Sequence, residues 1–520
     1  MVDLRFVLSL AFIVFFSVLS SGRFSSGIGF LCLHFCLSYC SRFSQQIKWY
    51  HLYISLSISI GYFICFWDFL DLPFILYCAA IVLITVFLYT TPHLLATLFV
   101  HKVRYSFSFP FFFTLFSCAF RFLSPWGTQG VPVLSLADSF LSPTATLFGL
   151  DGLTFISIII PASLPYLLFP VENAYGEKED FALKYFLISI SVVLIVLTNS
   201  IDAATFTTFD PIVSVSGVVL PRIRYPTYGE DDDGRLLYER NAIDWAFEVS
   251  TTVTKQSKLI VWAESMLNVS EYSNGDSTKS ELLVKASQFS KHHSVYLVTA
   301  YNCQYANGTI LNELTMFDPS GDAIGAYTKR NTVFMVENDI TPADWQTEPL
   351  IVDTEFGKVG LAICHDFDFP EFVRSLSSAD LLISPSWDAK TWVRNTFGTA
   401  LRSVELGVPF MRLTHGGWTG ITNKLGRHVF GVSHWSKESN LIDDCPEWAI
   451  DCSTAGELTF TTPVPIGRRF TLHGFIDGKF LLFPVLVFVF LGLYVSPLLK
   501  KRGFEFNFPL YGVKTSADRV

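Results

Sequence analysis

A thiol, a carboxylate and an ammonium each stand just beyond an apolar, strand-like run. Cys364 closes Lys358–Ile363 (KVGLAI), Glu264 closes Leu259–Ala263 (LIVWA), and Lys329 follows a hairpin strand in Tyr327-Thr328-Lys329-Arg330. Side chains at the ends of buried strands can converge on one rim of a sheet, where α/β folds gather their chemistry. Such a set supports acyl transfer through a thioester. A thiol attacks a carbonyl as its thiolate. Glu264 is the candidate general base that takes the thiol proton and later returns it to a leaving group. Lys329 would stabilise the thiolate and the developing oxyanion, and Cys364 would hold the acyl group covalently. Taken singly, a glutamate in a loop, a lysine after a hairpin and a packed cysteine are ordinary. The ordered set carries the reading, and it requires all three within a few Å of one another.

The elements that must position these groups lie in residues 213–475, which have globular composition. Strands are expected at Val213–Leu220, Leu259–Ala263, Val295–Thr299, Lys358–Cys364, Leu381–Ser384 and Pro409–Thr414. Helices are expected at Asn241–Gln256, Lys279–Lys291, Pro370–Leu376 and Asn395–Leu406. Leu314–Phe317 and Ala323–Tyr327 flank the turn Asp318-Pro319-Ser320-Gly321-Asp322, a hairpin signal. The alternation predicts a layered α/β domain.

The rest of the chain is far more apolar. Of 520 residues, 50% are hydrophobic, only 16% are charged and 51 are Phe, a composition that fits a membrane class. A hydrocarbon core about 30 Å thick takes roughly 20 apolar helical residues to cross. The expected spans lie near 4–20, 25–41, 50–70, 73–91, 106–123, 151–170 and 182–200, with a final one at 480–497 and a tail at 498–520. The 92–100 run could lengthen a neighbour. The first span could be a signal peptide, but the closely following apolar runs favour a retained helix. Lys and Arg collect on one side of this arrangement: Arg5, Arg42, Lys48, Lys102, Arg104, Lys178, Lys184, Lys500, Lys501 and Arg502, against Arg23 and Arg121 on the other. Cytoplasmic loops hold such an excess. Both termini are therefore expected in the cytoplasm, and the 213–475 domain on the non-cytoplasmic side. There the sequons at Asn268 and Asn307 would be open to glycosylation.

Other features bound the function. A net charge of −9 with no basic stripe argues against nucleic acid as a partner. Cys32, Cys36, Cys40, Cys65, Cys78 and Cys118 lie in or beside apolar runs and read as small buried hydrophobes. No Cys/His spacing suggests zinc. Cys445 and Cys452 are close enough for a short-loop disulfide, or could equally stay free, since spacing does not fix pairing. Glu230–Asp233 (EDDD) reads as an acidic turn rather than a calcium site. His365 reads as structural or solvent-facing, with tuning of the neighbouring thiol as the other reading. His292-His293 reads as a helix end at the surface. Trp387, Trp392 and Trp418 could line a substrate cleft or simply pack.

Trp262-Ala263-Glu264-Ser265, Tyr327-Thr328-Lys329 and Gly360-Leu361-Ala362-Ile363-Cys364-His365-Asp366 resemble the Glu, Lys and Cys motifs of the nitrilase (carbon–nitrogen hydrolase) superfamily. The resemblance covers about half the chain and implies an αββα sandwich. The membrane arrangement is similar to apolipoprotein N-acyltransferases, which place several helices before the domain and one after it. Ser124-Pro125-Trp126-Gly127, Phe148–Phe155 and Arg402–Arg412 resemble further segments of those enzymes. The resemblance places Glu337, eight residues past Lys329, as a supporting carboxylate near the site. Asp366 stands where the family has Glu, His365 where it has an aromatic residue, and Glu264 lacks the usual preceding Pro. The segment from Lys329 to Cys364 is shorter than in the bacterial lipoprotein enzymes, which counts against a bulky lipoprotein acceptor.

The expected fold is thus an α-helical polytopic membrane domain at 1–205 of about eight transmembrane helices, counting the C-terminal one, joined to a nitrilase-like α/β sandwich at 213–475. The expected activity is transfer of an acyl group from a phospholipid donor through Cys364 to an amine acceptor, with no cofactor and no metal. The alternatives are a membrane-anchored amidase or nitrilase that uses water as acceptor, and a non-catalytic binding platform.

Overall fold

The computed structural model describes residues 4–20, 26–41, 49–66, 74–103, 108–122, 136–137, 139–168, 181–205, 210–220, 222–223, 232–271, 275–333, 336–387, 392–415, 418–433, 452–453 and 458–476. The 480–497 run, the 498–520 tail, Cys445 and the 124–127 segment lie outside them.

The N-terminal half is helical: α1 (Leu4–Ser20), α2 (Gly27–Cys40), α3 (Tyr50–Phe66), α4 (Phe74–Thr85), α5 (Thr91–Val103), α6 (Ser108–Phe122), α7 (Ala145–Leu168) and α8 (Phe181–Thr205). A π-helical turn at Val86–Thr90 makes α4 and α5 continuous, so the 92–100 run lengthens its neighbour. Helix α7 begins at Ala145 and is interrupted at Gly149, so that a helix restarts at Leu150, beside the expected start at 151. The helical run Phe74–Leu98 and the segment Ser142–Leu168, which is interrupted at Gly149, are by length and composition apolar enough to cross a membrane; the other apolar stretches described in this half, Ser191–Ala203 of α8 among them, are shorter. At 1.5 Å per residue the first of them spans roughly 37 Å.

Large apolar side chains cover the outside of this bundle. Leu4, Leu8, Phe12 and Phe15 on α1, Leu56, Ile60 and Ile64 on α3, and Val193 and Val196 on α8 are exposed. Polar groups instead pair inside. Tyr62 and Tyr89 share a hydrogen bond of 2.6 Å, Ser59 and Thr85 one of 2.7 Å, and the Ser38 hydroxyl donates to the Ala162 carbonyl.

The C-terminal half is built from two sheets. The first contains β1 (Ile212–Val219), β3 (Leu259–Trp262), β4 (Leu267–Ser270), β5 (Tyr296–Gln304), β6 (Ile310–Phe317), β7 (Ala323–Thr328) and β15 (Leu458–Pro465), in the order β15-β1-β3-β5-β6-β7 with β4 beside β5. The second contains β8 (Leu350–Thr354), β9 (Gly357–Leu361), β10 (Leu381–Trp387), β11 (Phe410–His415), β12 (Trp418–Thr422) and β13 (His428–Ser433), in the order β13-β12-β11-β10-β9-β8. Each has a parallel centre, β1-β3-β5 or β9-β10-β11, and antiparallel flanks. A two-residue ladder joins β2 (Arg222–Ile223) to β14 (Cys452–Ser453).

Val215, Val261, Val298 and Leu314 of the first sheet share one core with Val359, Leu361, Ile383 and Met411 of the second. The sheets approach closely at Gly217, where a Cβ would fall 2.4 Å from the Phe460 ring and 2.7 Å from Leu413. Helices α9 (Asp232–Thr251) and α10 (Thr278–His293) cover the first sheet with Tyr238, Ile243, Leu282 and Phe289. Helices α11 (Pro370–Val373) and α12 (Trp392–Leu406) follow the second. Ala400, Leu401 and Val404 of α12 belong to the same apolar core as the N-terminal helices, so α12 joins the sandwich to the bundle.

Several expected boundaries are corrected. Helix α9 begins at Asp232, not Asn241, so the C-terminal part of the acidic EDDD segment opens a helix rather than forming a turn. Tyr238 gives this added stretch a buried apolar contact, and Arg235 pairs with Glu239 one turn on. Strand β9 ends at Leu361, and Cys364 lies on a following 3₁₀ turn. Asn268 is half-buried on β4, and its side-chain oxygen accepts from Asn302 at 3.1 Å. Asn307 is exposed in the turn between β5 and β6.

Candidate active site

Burial of Leu259–Trp262 in the sheet carries Glu264 to its rim, where the carboxylate is 1% exposed. Its Oε1 accepts from Lys329 Nζ at 2.7 Å and from Asn312 Nδ2 at 2.8 Å. Lys329 extends the β6–β7 pairing, its backbone N–H donating to the Asn312 carbonyl at 2.8 Å. Its ammonium is fully buried and also donates to Glu337 Oε1 at 2.6 Å. Glu337 is held by its other oxygen, which accepts from the Val333 N–H at 2.7 Å.

The turn Cys364–Asp368 holds the thiol, and Cys364 has φ of 48°, in the left-handed region that a non-glycine residue enters at a cost of about 1–3 kcal/mol. Asp366 secures the turn. Its Oδ2 accepts from Tyr327 Oη at 2.8 Å and from the Ile363 N–H at 3.1 Å. Its Oδ1 accepts from the Asn331 backbone N–H at 2.8 Å and from Asn331 Nδ2 at 2.9 Å. The Asp side chain thus ties the Lys329 loop to the nucleophile turn. The Cys364 sulfur lies 3.8 Å from the Trp387 carbonyl and 3.9 Å from Arg412 Nη2.

The electrostatics follow from burial and charge count. Burial pushes the Glu264 carboxyl above the usual range; Lys329 opposes this and Glu337 adds to it. The Cys364 thiol is close enough to favour the charged carboxylate, although Glu264 Oε2 has no hydrogen bond of ordinary geometry among the described residues. Burial disfavours the Lys329 ammonium, but Glu264, Cys364 and Glu337 outweigh it and hold the amine protonated well above its usual value. Burial likewise raises the Asp366 carboxyl, against the hydrogen bonds it accepts.

The structure therefore brings Glu264, Lys329, Glu337 and Cys364 to one buried place. Sequence reading passed over Asn312, Tyr327 and Asn331 as individual site residues, and Arg412, which lies 48 residues beyond Cys364 and is 4% exposed. For Tyr327 and Arg412 the available signal was their place in the resembling segments Tyr327-Thr328-Lys329 and Arg402–Arg412, and for Arg412 also a lone Arg inside the apolar run Phe410–Leu413; Asn312 and Asn331 carry none. His365 is buried, not solvent-facing, and its Nδ1 pairs with Asp368 at 2.9 Å. Trp387 contributes its backbone carbonyl, Trp418 packs against Gly420 and Gly431, and the side chain of Trp392 lies outside the described residues. Among the described residues no group of three or more His, Cys, Asp or Glu is placed to hold a metal ion.

Residues 238–455 match the carbon–nitrogen hydrolase family. A hydrolase of Schizosaccharomyces pombe is 30% identical over 110 residues, 19% of this chain and 33% of that protein, so the match spans about a third of the relative's length. Solved structures similar to the chain include an amidase from Nesterenkonia sp., at 12% identity and TM-score 0.37, covering 49% of this chain and 90% of that one. Another is a Saccharomyces cerevisiae member of branch 10 of the nitrilase superfamily, at 17% identity and TM-score 0.37, again covering 49% and 90%. The C-terminal half of the chain carries a carbon–nitrogen hydrolase domain.

Proposed function

We propose that the protein is a multi-pass membrane acyltransferase that takes an acyl group from a phospholipid ester onto Cys364 and passes it to an amine. The observation that carries this reading is a thiol beside a buried carboxylate–ammonium pair, in a domain whose helix α12 shares its core with a bundle of apolar exterior. Exposed apolar faces on that scale suit lipid rather than water.

In the first half-reaction Glu264 takes the Cys364 proton and the sulfur attacks the ester carbonyl. The Lys329 ammonium has three donors, two of them engaged by carboxylates, which leaves one for the developing oxyanion. Collapse breaks the ester C–O bond, and Glu264 returns its proton to the departing lysolipid alcohol. In the second half-reaction the amine attacks the thioester, Glu264 takes the amine proton, and the C–S bond breaks to release the amide and the thiolate, which regains the proton. Once Glu264 holds the proton, Glu337 and the thiolate outnumber the single Lys329, and Arg412 beside the sulfur supplies the second cation.

The test is intact-mass analysis of the purified protein in phospholipid nanodiscs of one defined acyl chain. Wild type is expected to gain one acyl mass, Cys364→Ala none, and a primary amine should discharge the adduct as an amide. An adduct formed only from small amides and discharged by water would make the protein an amidase instead. No adduct from any donor would leave a binding platform.

Orientation has its own check. With the domain on the non-cytoplasmic side, expression in a eukaryotic secretory membrane is expected to add a glycan at Asn307, which is exposed, and none at Asn268, which is engaged within a strand. Asn307→Gln should abolish the endoglycosidase-sensitive shift and Asn268→Gln should leave it. An unshifted wild type would place the domain on the cytoplasmic side.

A further inference from the structure

Helix α7 is broken near its start. Gly149 has φ of 62° and ψ of −158°, so Leu150 opens a fresh helix N-terminus inside the segment. Such a terminus exposes unpaired N–H groups and the positive end of the helix dipole. Here the Leu150 N–H donates to Glu405 Oε1 of α12 at 2.5 Å. The other Glu405 oxygen pairs with Arg402 Nη1, and Arg402 Nε donates to the Phe367 carbonyl at 2.9 Å. Phe367 belongs to the turn that holds Cys364. Arg402 and Glu405 are 2% and 0% exposed, so a continuous buried chain of charge and hydrogen bonds runs from the apolar helix α7 to the nucleophile turn.

The junction admits no other residue at 149. A Cβ there would meet the His473 ring at 2.4 Å, and φ is already in the left-handed region. His473 lies on α13 (Leu472–Phe475), whose N-cap Thr471 donates to the Glu405 carbonyl at 2.6 Å. Helices α7, α12 and α13 thus meet at Glu405.

A buried ion pair is a weak way to stabilise a fold, since desolvation offsets its attraction; this one, within α12, sets the two side chains whose hydrogen bonds reach α7 and the nucleophile turn. What needs fixing is the left-handed backbone at Cys364, a strained state that persists only where its surroundings over-determine it. Asp366 holds the turn on the Lys329 side, and Arg402 holds the Phe367 carbonyl on the α12 side. We propose that Arg402 and Glu405 are positioning residues that fasten the Gly149–Leu150 break of α7 to the nucleophile turn, so that the reactivity of Cys364 depends on the docking of an apolar N-terminal helix. Loss of this link lets the turn relax and swings the sulfur from Glu264.

The inference rests on Cys364 being the nucleophile of the proposed function, but its test does not use acyl transfer. The rate of iodoacetamide alkylation at Cys364 is read by peptide mass spectrometry on the full chain in nanodiscs, with thermal midpoints in parallel. Gly149→Ala and Glu405→Gln are each expected to slow alkylation at Cys364 by about tenfold or more, as small misplacements of reacting groups do. Val249→Ala, a cavity under α9 far from the junction, is expected to lower the midpoint without slowing alkylation. Glu405→Gln keeps the side-chain shape and decides the matter if Gly149→Ala fails to fold. Unchanged alkylation in Glu405→Gln, or equal slowing in Val249→Ala, would overturn the proposal. A missing acyl adduct in wild type with these alkylation results intact would sink the proposed function and leave the link standing.

Discussion

Lys329→Met is expected to destabilise the protein by about 3–5 kcal/mol, the usual cost of removing one partner from a buried ion pair, and to abolish acyl-enzyme formation. The ammonium is fully buried between Glu264 and Glu337, at 2.7 and 2.6 Å. Without it two carboxylates face each other with no cation between them, and one must take up a proton. Equilibrium unfolding in mixed micelles reads the stability, and intact mass reads the adduct. Adding Glu337→Gln should restore part of the lost stability but none of the adduct, because the neighbouring residues couple through the same ammonium. A wild-type midpoint for Lys329→Met would show that the trio is not an electrostatic unit. Because the folded-state value for Lys329 is raised, its contribution is fully present below the unfolded value of about 10.4 and is lost only as pH rises through the higher folded value.

Glu264→Gln is expected to keep the fold and lower the rate of acyl-enzyme formation by about 10²–10⁴, the range for loss of a positioned general base. The amide retains the shape of the carboxylate and an oxygen for Asn312 and Lys329. In wild type the acid limb of the rate profile should lie above the value of a free glutamate, about 4.3, because burial raises Glu264. Activity falls as pH drops through that limb, since the protonated carboxyl cannot accept the thiol proton. The apparent value belongs to Glu264, Lys329 and Glu337 together. For stability the sign is the reverse of the rate. Between the unfolded and the raised folded value the folded chain binds more protons, so this group's contribution declines as pH rises through that window. A Glu264→Gln enzyme with the same acid limb would assign the limb to another group.

The local parts of the fold were legible because burial leaves a periodic trace. LIVWA, VYLVT and KVGLAI each became a strand, and the turn Asp318–Asp322 joined β6 to β7. Strands β8, β12, β13 and β15 leave a weaker trace and were not expected. The β15 segment reads LTFTTPVP, and its two prolines argue against a strand. They are tolerated because β15 lies at the sheet edge, where a missing N–H leaves no central bond unmade. In β12 and β13, Gly420 and Gly431 dilute the apolar pattern, and the Trp418 ring fills the space they leave.

Residue type and order, together with the flanking words that resemble family motifs, singled out Cys364, Glu264 and Lys329 as candidates, because a thiol, an acid and an amine beyond buried strands suggest a chemistry before any fold is known. Which charge faces which was decided only in three dimensions. Arg412 reaches the sulfur across 48 residues, Asp366 takes hydrogen bonds from Tyr327 and Asn331, and Glu405 receives the Leu150 N–H across 255 residues. Periodicity reports what a segment buries, because burial acts on each strand or helix separately. A buried charge must instead find its counter-charge wherever packing brings one, and that choice has no local signature.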